Sequence, residues 1–166
     1  MNMNLEQIRA ASALAYANAD GNKRGSEGGE VVRKLPALIM GNGLLATAAF
    51  AYQKEYDDYP KSLRKFEKKH HRAPSEGEDK NLHSGYKACF DWITLHLADT
   101  HRKIIPAECK TLKDLLDHLT TKADSRTLKL ATDETLAWLT YARRFVVKAG
   151  RREEGEMNGG EDDSAD

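Results

Sequence analysis

Histidine is the residue type in this chain that most readily suggests a metal or catalytic site. Two of the six histidines are adjacent and would point apart on a helix, and no two of the others lie three or four residues apart, the spacing that brings two ligands onto one helical face. No acidic residue recurs beside them at ligand spacing. We therefore expect surface or helix-rim histidines and no metal site. The six are His70, His71, His83, His96, His101 and His118.

Other catalytic signatures are also missing from the sequence. The glycine-rich stretch GNKRGSEGG (21–29) follows no strand and lacks the GK[ST] ending of a phosphate-binding loop. No serine is framed by a nucleophile elbow, and Cys89 and Cys109 lack CxxC spacing. Both cysteines fit small buried residues in a reducing cytoplasm. The sequence therefore predicts a protein that is not an enzyme and has no cofactor.

Chemistry of another kind is suggested by a basic run between residues 61 and 72. It holds six positive side chains against one acidic residue, Glu67. Such a run is either a solvated helix face or a patch that contacts nucleic-acid phosphates, and the pattern leaves both interpretations open. The six are Lys61, Arg64, Lys65, Lys68, Lys69 and Arg72.

The charges of the chain are unevenly distributed. The 166 residues include 26 basic and 26 acidic side chains, but residues 151–166 hold seven acidic and two basic ones. This leaves 24 basic and 19 acidic residues in 1–150, a net charge of +5. We expect a mildly basic folded body and a mobile, disordered acidic tail. No apolar run is long enough for a membrane span and no signal peptide is visible, so we expect a cytoplasmic protein.

The apolar residues that position these groups recur at helical spacing. They predict an all-α fold, a single bundle of five or six helices over residues 1–150, in which 56–80 is a variable basic insert. Residues 20–30, with four glycines, form a loop, and Thr111 followed by Asp114 resembles the capping box that begins a helix. The predicted helices cover residues 4–19, 30–55, 60–70, 80–100, 112–122 and 127–150.

Two of the predicted helices have apolar rows that indicate their buried faces. In the last helix the row places Trp138 in the core. The row of the first helix has small residues that allow a close neighbour, and it runs through Leu5, Ile8, Ala11, Ser12, Ala15 and Ala19. Gly150 is expected to end the last helix.

The segment KLPALIMGNGLLATAAFAYQKE (34–55) is the most apolar in the chain, yet it contains three poor helix residues, Pro36, Gly41 and Gly43. The proline either begins the helix or bends it. The glycines either let another helix pack closely or let the backbone near Asn42 approach a partner. We expect one helix or two collinear pieces. The row at helical spacing is Val31, Leu35, Leu38, Asn42, Leu45, Ala49 and Tyr52. A second row widens this face and consists of Val32, Ile39, Ala46 and Phe50.

This segment also resembles a signature of a known family. The stretch LPALIMGNGLLAT (35–47) is similar to the LP…NGLLAT segment of the small α-helical subunit of the type III-B CRISPR effector, the Cmr (RAMP module) complex. The start EQIRA (6–10) resembles the Q-x-R-A start of that family, and DETLAWLTYARRFVVKA (133–149) resembles its C-terminal helix. Residues 56–80 and the acidic tail have no counterpart in this resemblance.

The resemblance implies a structural, non-catalytic role in antiviral defence. Subunits of that family stack end to end along the backbone subunits of the ribonucleoprotein and help to accommodate target RNA. The implied partners are copies of the chain itself, the backbone and large subunits, and the CRISPR RNA–target RNA, with no membrane. The residues expected to bind RNA are Arg33, Lys34, Asn42, Lys54, Lys65, Lys68, Lys69, Arg143, Arg144 and Lys148.

Two other functions remain compatible with the residues alone. One is the small subunit of a type III-A effector, which is also helical and basic, although the LP…NGLLAT segment argues against it. The other is an unrelated helical adaptor that binds only protein. Salt-dependent binding of single-stranded RNA distinguishes an RNA-binding subunit from such an adaptor.

Overall fold

The helical fold was tested against a computed structural model, which describes residues 2–19 and 30–158, with side chains as far as Val146. Within these ranges the chain forms helices and no strand, so the all-α prediction is confirmed. The helices are α1 (Leu5–Asn18), α2 (Glu30–Asn42), α3 (Leu44–His70), α4 (Glu76–Lys80), α5 (Gly85–Ala98), α6 (Leu112–Thr121) and α7 (Ser125–Asn158). The loop predicted at 20–30 lies almost entirely outside the described residues.

Local capping explains where several of these helices begin. The predicted capping box of α6 is confirmed, because the Thr111 side chain accepts from the Asp114 N–H and the Asp114 side chain accepts from the Thr111 N–H. Asn4 and Gln7 form an equivalent pair at the start of α1. Each pair satisfies backbone donors that a helix N-terminus would otherwise leave without partners.

The core is formed by α1, α2, α3, α5, α6 and α7, and Trp138 of α7 lies in it with no solvent exposure, as predicted. The ring of Tyr16 packs against Trp138 at a centroid distance of 5.3 Å. This contact corrects the face predicted for α1, whose buried residues are Ala13, Tyr16 and Ala17, while Leu5 is exposed. Within α1, alanines lie on both the buried and the exposed side, so the small-residue pattern did not distinguish one face. The large Tyr16 ring decides which face is buried.

Gly43 separates α2 from α3 and changes which side chains are buried. Its φ of 88° and ψ of 160° belong to a region that essentially only glycine occupies, and a Cβ there would meet no atom within 4 Å. Its role is therefore conformational, and the expected close approach of another helix of this chain is wrong at both Gly41 and Gly43. The turn shifts the helical phase, so α3 buries Leu44, Thr47, Ala48 and Ala51 instead of the predicted Leu45, Ala49 and Tyr52.

Prolines lie inside two helices. Pro36 is in the middle of α2 and does not begin it. Pro60 is inside α3, which continues to His70, so the separate surface helix predicted for 60–70 is wrong. The proline removes one backbone donor and costs stability, but the four lysines, one arginine and one glutamate that follow favour helix, and tertiary contacts hold this half of α3 in place. His71 ends α3 in a left-handed conformation.

The last helix extends further than the sequence pattern indicated. The backbone of α7 is helical to Asn158, so the predicted end at Gly150 is wrong. Arg151, Arg152 and the glutamates that follow are good helix formers, and a single glycine costs only about 1 kcal/mol in a helix. The mobility of the acidic tail stays a prediction, and residues 159–166 lie outside those that the structure describes.

Candidate nucleic-acid interface

Most of the cations predicted to bind RNA are exposed on α2, α3 and α7. Arg33 on α2 and both Arg143 and Arg144 on α7 are exposed, and none of these three forms an ion pair with another described residue. Lys34 and Lys54 are exposed too, but each has an acidic neighbour one helical turn away: Lys34 Nζ lies 3.0 Å from Glu30, and Lys54 Nζ lies 3.4 Å from Asp58. Asn42, the last residue of α2, is also exposed. The side chain of Lys148 lies outside the described residues.

Five exposed cations in the second half of α3 share one side of the helix, and we call them the α3 basic face. At 100° per residue they span an arc of about 140°, and the partly buried Leu63 and Phe66 lie on the other side. None of the five forms an ion pair within the ranges that the structure describes. Arg72 does not join them, since its guanidinium donates twice to Glu78, at 2.8 Å in each bond. The face consists of Lys61, Arg64, Lys65, Lys68 and Lys69.

A polar cluster fixes the half of α3 that carries this face. The ring of His83 stacks on Tyr59 at a centroid distance of 4.3 Å. The His83 Nδ1 atom is hydrogen-bonded to the Glu55 carboxylate. Glu55 also accepts from the Ser84 N–H at 2.7 Å. The Tyr59 hydroxyl donates to Asp79 at 2.7 Å, and this bond raises the pKa of Tyr59 to about 12. The part of α3 just before the basic face is therefore joined to α4 and to the residues that precede α5.

A second polar cluster is centred on Glu134 of α7, whose side chain is only 2% exposed. Arg9 of α1 donates to both carboxylate oxygens, at 3.0 Å from Nε and 2.7 Å from Nη2. Arg102, in the connection after α5, donates from Nη2 at 2.9 Å. His96 Nε2 lies 2.8 Å from Oε1 and donates when Glu134 is ionised. The Glu134 cluster thus joins α1, α5, α7 and the α5–α6 connection.

The electrostatics of this cluster favour the ionised carboxylate. Burial by itself raises the pKa of Glu134, but hydrogen bonds from His96 and Arg9 and the charge of Arg102 outweigh it. The net effect holds the pKa of Glu134 well below its ordinary value. The hydrogen bond between Arg9 and Glu134 also raises the pKa of Arg9.

Two further contacts continue along the seam between α1 and α7. The Trp138 indole N–H donates to the Ser12 hydroxyl at 2.9 Å, and the Tyr141 hydroxyl donates to Glu6 at 3.0 Å. Burial and the bond to Glu6 raise the pKa of Tyr141, while the nearby charges of Arg9 and Arg144 oppose that rise. Tyr141 is therefore tied to α1 through Glu6 at the far end of this seam from Glu134.

These contacts correct the interpretation of one histidine and add residues that the sequence did not single out. His96 is buried, not at the surface or a helix rim, because it hydrogen-bonds Glu134 inside the core. Arg9, Arg102 and Glu134 were not recognised as a cluster. One signal was available: Glu134 is a charged residue three after Ala131 and four before Trp138, on the buried row of α7, where a carboxylate requires a partner.

The described residues also bear on metal and thiol chemistry. Within these ranges no group of three or more histidine, cysteine, aspartate or glutamate side chains could hold a metal ion. Cys89 and Cys109 are free and buried, as expected for small core residues. Burial raises the pKa of Cys89 to about 12 and also raises that of Cys109, so neither thiol is activated as a nucleophile.

Taken together, the fold and surface define a helical bundle with exposed cations on at least three helices, a class of protein suited to anionic partners. A family model described as CRISPR-associated protein (Cas_Cmr5) matches residues 5–149. The chain therefore belongs to the Cmr5 family, the small subunits of the type III-B CRISPR effector, and is a subunit of that multi-subunit complex. No curated protein and no solved structure gives a significant match.

Family membership confirms the resemblance drawn from the LP…NGLLAT segment and sets aside the type III-A alternative. Two stretches that carried the resemblance meet in the fold, since Arg9 of the first contacts Glu134 of the last. None of the helices in the described ranges combines the length and apolar character that a membrane span requires.

Proposed function

We propose that this chain is a non-catalytic, cytoplasmic subunit that stacks with copies of itself beside the backbone and large subunits and helps to bind target RNA. Membership in the Cmr5 family supports the setting, a type III-B effector in antiviral defence. RNA binding is the part of the proposal that the surface supports. The observation that carries it is the set of exposed cations on α2, the α3 basic face and α7 that form no ion pair within the described ranges.

A contiguous array of exposed cations can bind a phosphate backbone. A helix face that is only solvated does not require such an array. Solvated surface lysines in helices usually alternate with acidic residues, as Lys54 and Asp58 do on the first half of α3. On the α3 basic face that pairing is absent within the described ranges. The uncompensated charge attracts a polyanion and is neutralised by it, with release of counterions.

Arg33, Lys34, Lys54 and Asn42 on α2 and α3, with Arg143, Arg144 and Lys148 on α7, are the remaining candidate contacts. Of the three α7 candidates, Arg143 and Arg144 have described, exposed side chains that form no ion pair with another described residue. We propose that they face the RNA in the assembled complex. The α3 basic face, which includes Lys65, Lys68 and Lys69, adds a modest contribution that does not depend on sequence.

The proposal is tested in the assembled effector, because stacking contributes to the RNA-binding surface. The first measurement is co-purification of the chain with CRISPR RNA and the backbone subunits. The second is capture of single-stranded target RNA on filters at 50 and 200 mM salt. An RNA-binding subunit predicts that replacing its cations lowers capture and flattens its salt dependence. A helical adaptor that binds only protein predicts capture that is unchanged by such replacements.

A further inference from the structure

The Glu134 cluster contains more positive charge than the carboxylate can neutralise. Arg9 and Arg102 both donate to the same oxygen, Oε2, at 2.7 and 2.9 Å. Two guanidinium groups against one carboxylate leave a net charge of +1. The excess charge is fixed in place, because Glu134 prevents the two arginines from moving apart.

The surplus charge is accessible whereas the carboxylate is not. The side chains of Arg9 and Arg102 are 25% and 22% exposed, against 2% for Glu134. Arg9 uses Nε and Nη2 on the carboxylate, and Arg102 uses Nη2 alone. Each guanidinium therefore retains its Nη1 donors, and Nε of Arg102 is buried without a partner among the described residues. An anion at this surface would meet the Nη1 groups of both guanidiniums, which Glu134 does not use.

The neighbouring residues favour RNA over an acidic peptide as the source of that anion. Tyr141 lies two helical turns after Glu134 on α7, and its hydroxyl donates at 3.0 Å to Glu6, which is one turn before Arg9 on α1. An aromatic ring beside arginines provides a stacking surface for a base next to a site for its phosphate. A carboxylate partner would use the arginines but would have no use for the ring.

We propose that Arg9 and Arg102, held by Glu134, form a phosphate site for single-stranded RNA, with Tyr141 beside it for base stacking. The inference rests on the proposed RNA-binding function and assigns that function a second surface, separate from the α3 basic face. Guanidinium forks match the geometry of phosphate oxygens, and their prior orientation lowers the entropy lost on binding.

The test measures binding of a 12-nucleotide oligouridine to the full chain at 50 and 200 mM salt. Arg102→Gln is the informative variant, since Arg9 and His96 still satisfy Glu134 when Arg102 is replaced. Arg126→Gln is the matched control, because Arg126 is an exposed arginine at the start of α7, outside every proposed contact set. We expect Arg102→Gln to weaken binding about tenfold at 50 mM salt. The salt slope should fall by about 0.7, with little change in Arg126→Gln.

A measurement on the unaltered chain covers the case in which Arg102→Gln fails to fold. Arginine Nε–H resonances of the ¹⁵N-labelled protein are followed during titration with the same RNA. Those of Arg9 and Arg102 should shift, and that of Arg126 should not. The phosphate site would be overturned if oligouridine bound without shifting the Arg9 and Arg102 resonances. It would also be overturned if Arg102→Gln and Arg126→Gln weakened binding equally. Neither result would bear on the proposed function.

Two other outcomes also overturn the inference. A glutamate 12-mer that binds as tightly and shifts the same resonances would assign the site to an acidic protein partner. Absence of any oligouridine binding by the full chain at 50 mM salt would rule out this site, while target capture by the assembled effector still decides the proposed function. The two proposals therefore fail on different measurements.

Discussion

Replacing Glu134 by glutamine should destabilise the protein by about 3 kcal/mol. The change keeps the size of the side chain and removes the charge that Arg9, Arg102 and His96 share. Breaking one side of a buried ionic network typically costs about 3–5 kcal/mol, because the partners stay buried without compensation. We expect the lower end of this range because Arg9 and Arg102 each retain about a quarter of their side-chain exposure and can regain water.

This loss is large enough to measure by routine unfolding. For a chain of this size, a loss of about 3 kcal/mol lowers Tm by roughly 6–12 °C. Urea unfolding, followed by circular dichroism and tryptophan fluorescence at pH 7, gives the free energy of unfolding directly. Glu6→Gln is the matched control, because Glu6 is an exposed carboxylate on the same α1–α7 seam with a hydrogen bond to Tyr141. Its expected cost is below about 1 kcal/mol.

The pH dependence provides an independent check of the same reasoning. The pKa of Glu134 is lowered in the folded state, so the unfolded state binds its proton first as the pH falls. The stability that Glu134 contributes is fully present above the unfolded pKa of about 4.3 and is lost progressively below it. Wild-type protein should therefore lose stability more steeply than Glu134→Gln between about pH 5 and pH 3. Parallel pH profiles, or a cost at pH 7 no larger than that of Glu6→Gln, would refute the reasoning.

The remaining predictions concern the core, the turn and the RNA surface. Trp138→Ala should cost roughly 3–5 kcal/mol in urea unfolding, because a fully buried ring and its hydrogen bond are lost, and a small cost would instead mark an exposed contact. Gly43→Ala should destabilise by about 1–3 kcal/mol, whereas Gly41→Ala, in open space within α2, should stabilise by about 0.4–1 kcal/mol; effects of the same sign would contradict the role given to the turn. Replacing Arg143 and Arg144 by alanine should reduce RNA capture by the assembled effector while circular dichroism is unchanged, and undiminished capture at physiological salt would remove them from the interface. Deleting the acidic tail should raise RNA affinity slightly at 50 mM salt and little at 200 mM, as expected if it screens the α3 basic face; an unchanged affinity at 50 mM would exclude that screening.

Features that depend on a few neighbouring residues were predictable from the sequence. The capping box from Thr111 to Asp114 begins α6 because both hydrogen bonds close within one turn. The apolar row of α7 placed Trp138 in the core because a repeat sustained over many turns leaves little choice of face. The family resemblance also rested on short contiguous stretches, and the family match confirms it.

Features that depend on distant residues were decided only by the tertiary structure. The buried face of α1 is set by the packing of Tyr16 against Trp138, more than a hundred residues away, and the small residues around α1 did not distinguish it. The continuation of α3 through Pro60 is supported by contacts of Tyr59 to Asp79 in α4 and to His83, just before α5. Local propensity is worth only about 1 kcal/mol per residue, so such contacts can override it.

The Glu134 cluster shows the same division most clearly. The sequence by itself determined that a carboxylate sits on the apolar row of α7, and therefore that it needs partners when buried. It did not determine which cations those are, because Arg9 lies 125 residues from Glu134 and Arg102 lies 32 residues from it. Only the packing of α1 and the α5–α6 connection against α7 brings them to one oxygen. Charge attraction acts through space without regard to sequence separation, so the tertiary structure alone could decide this pairing.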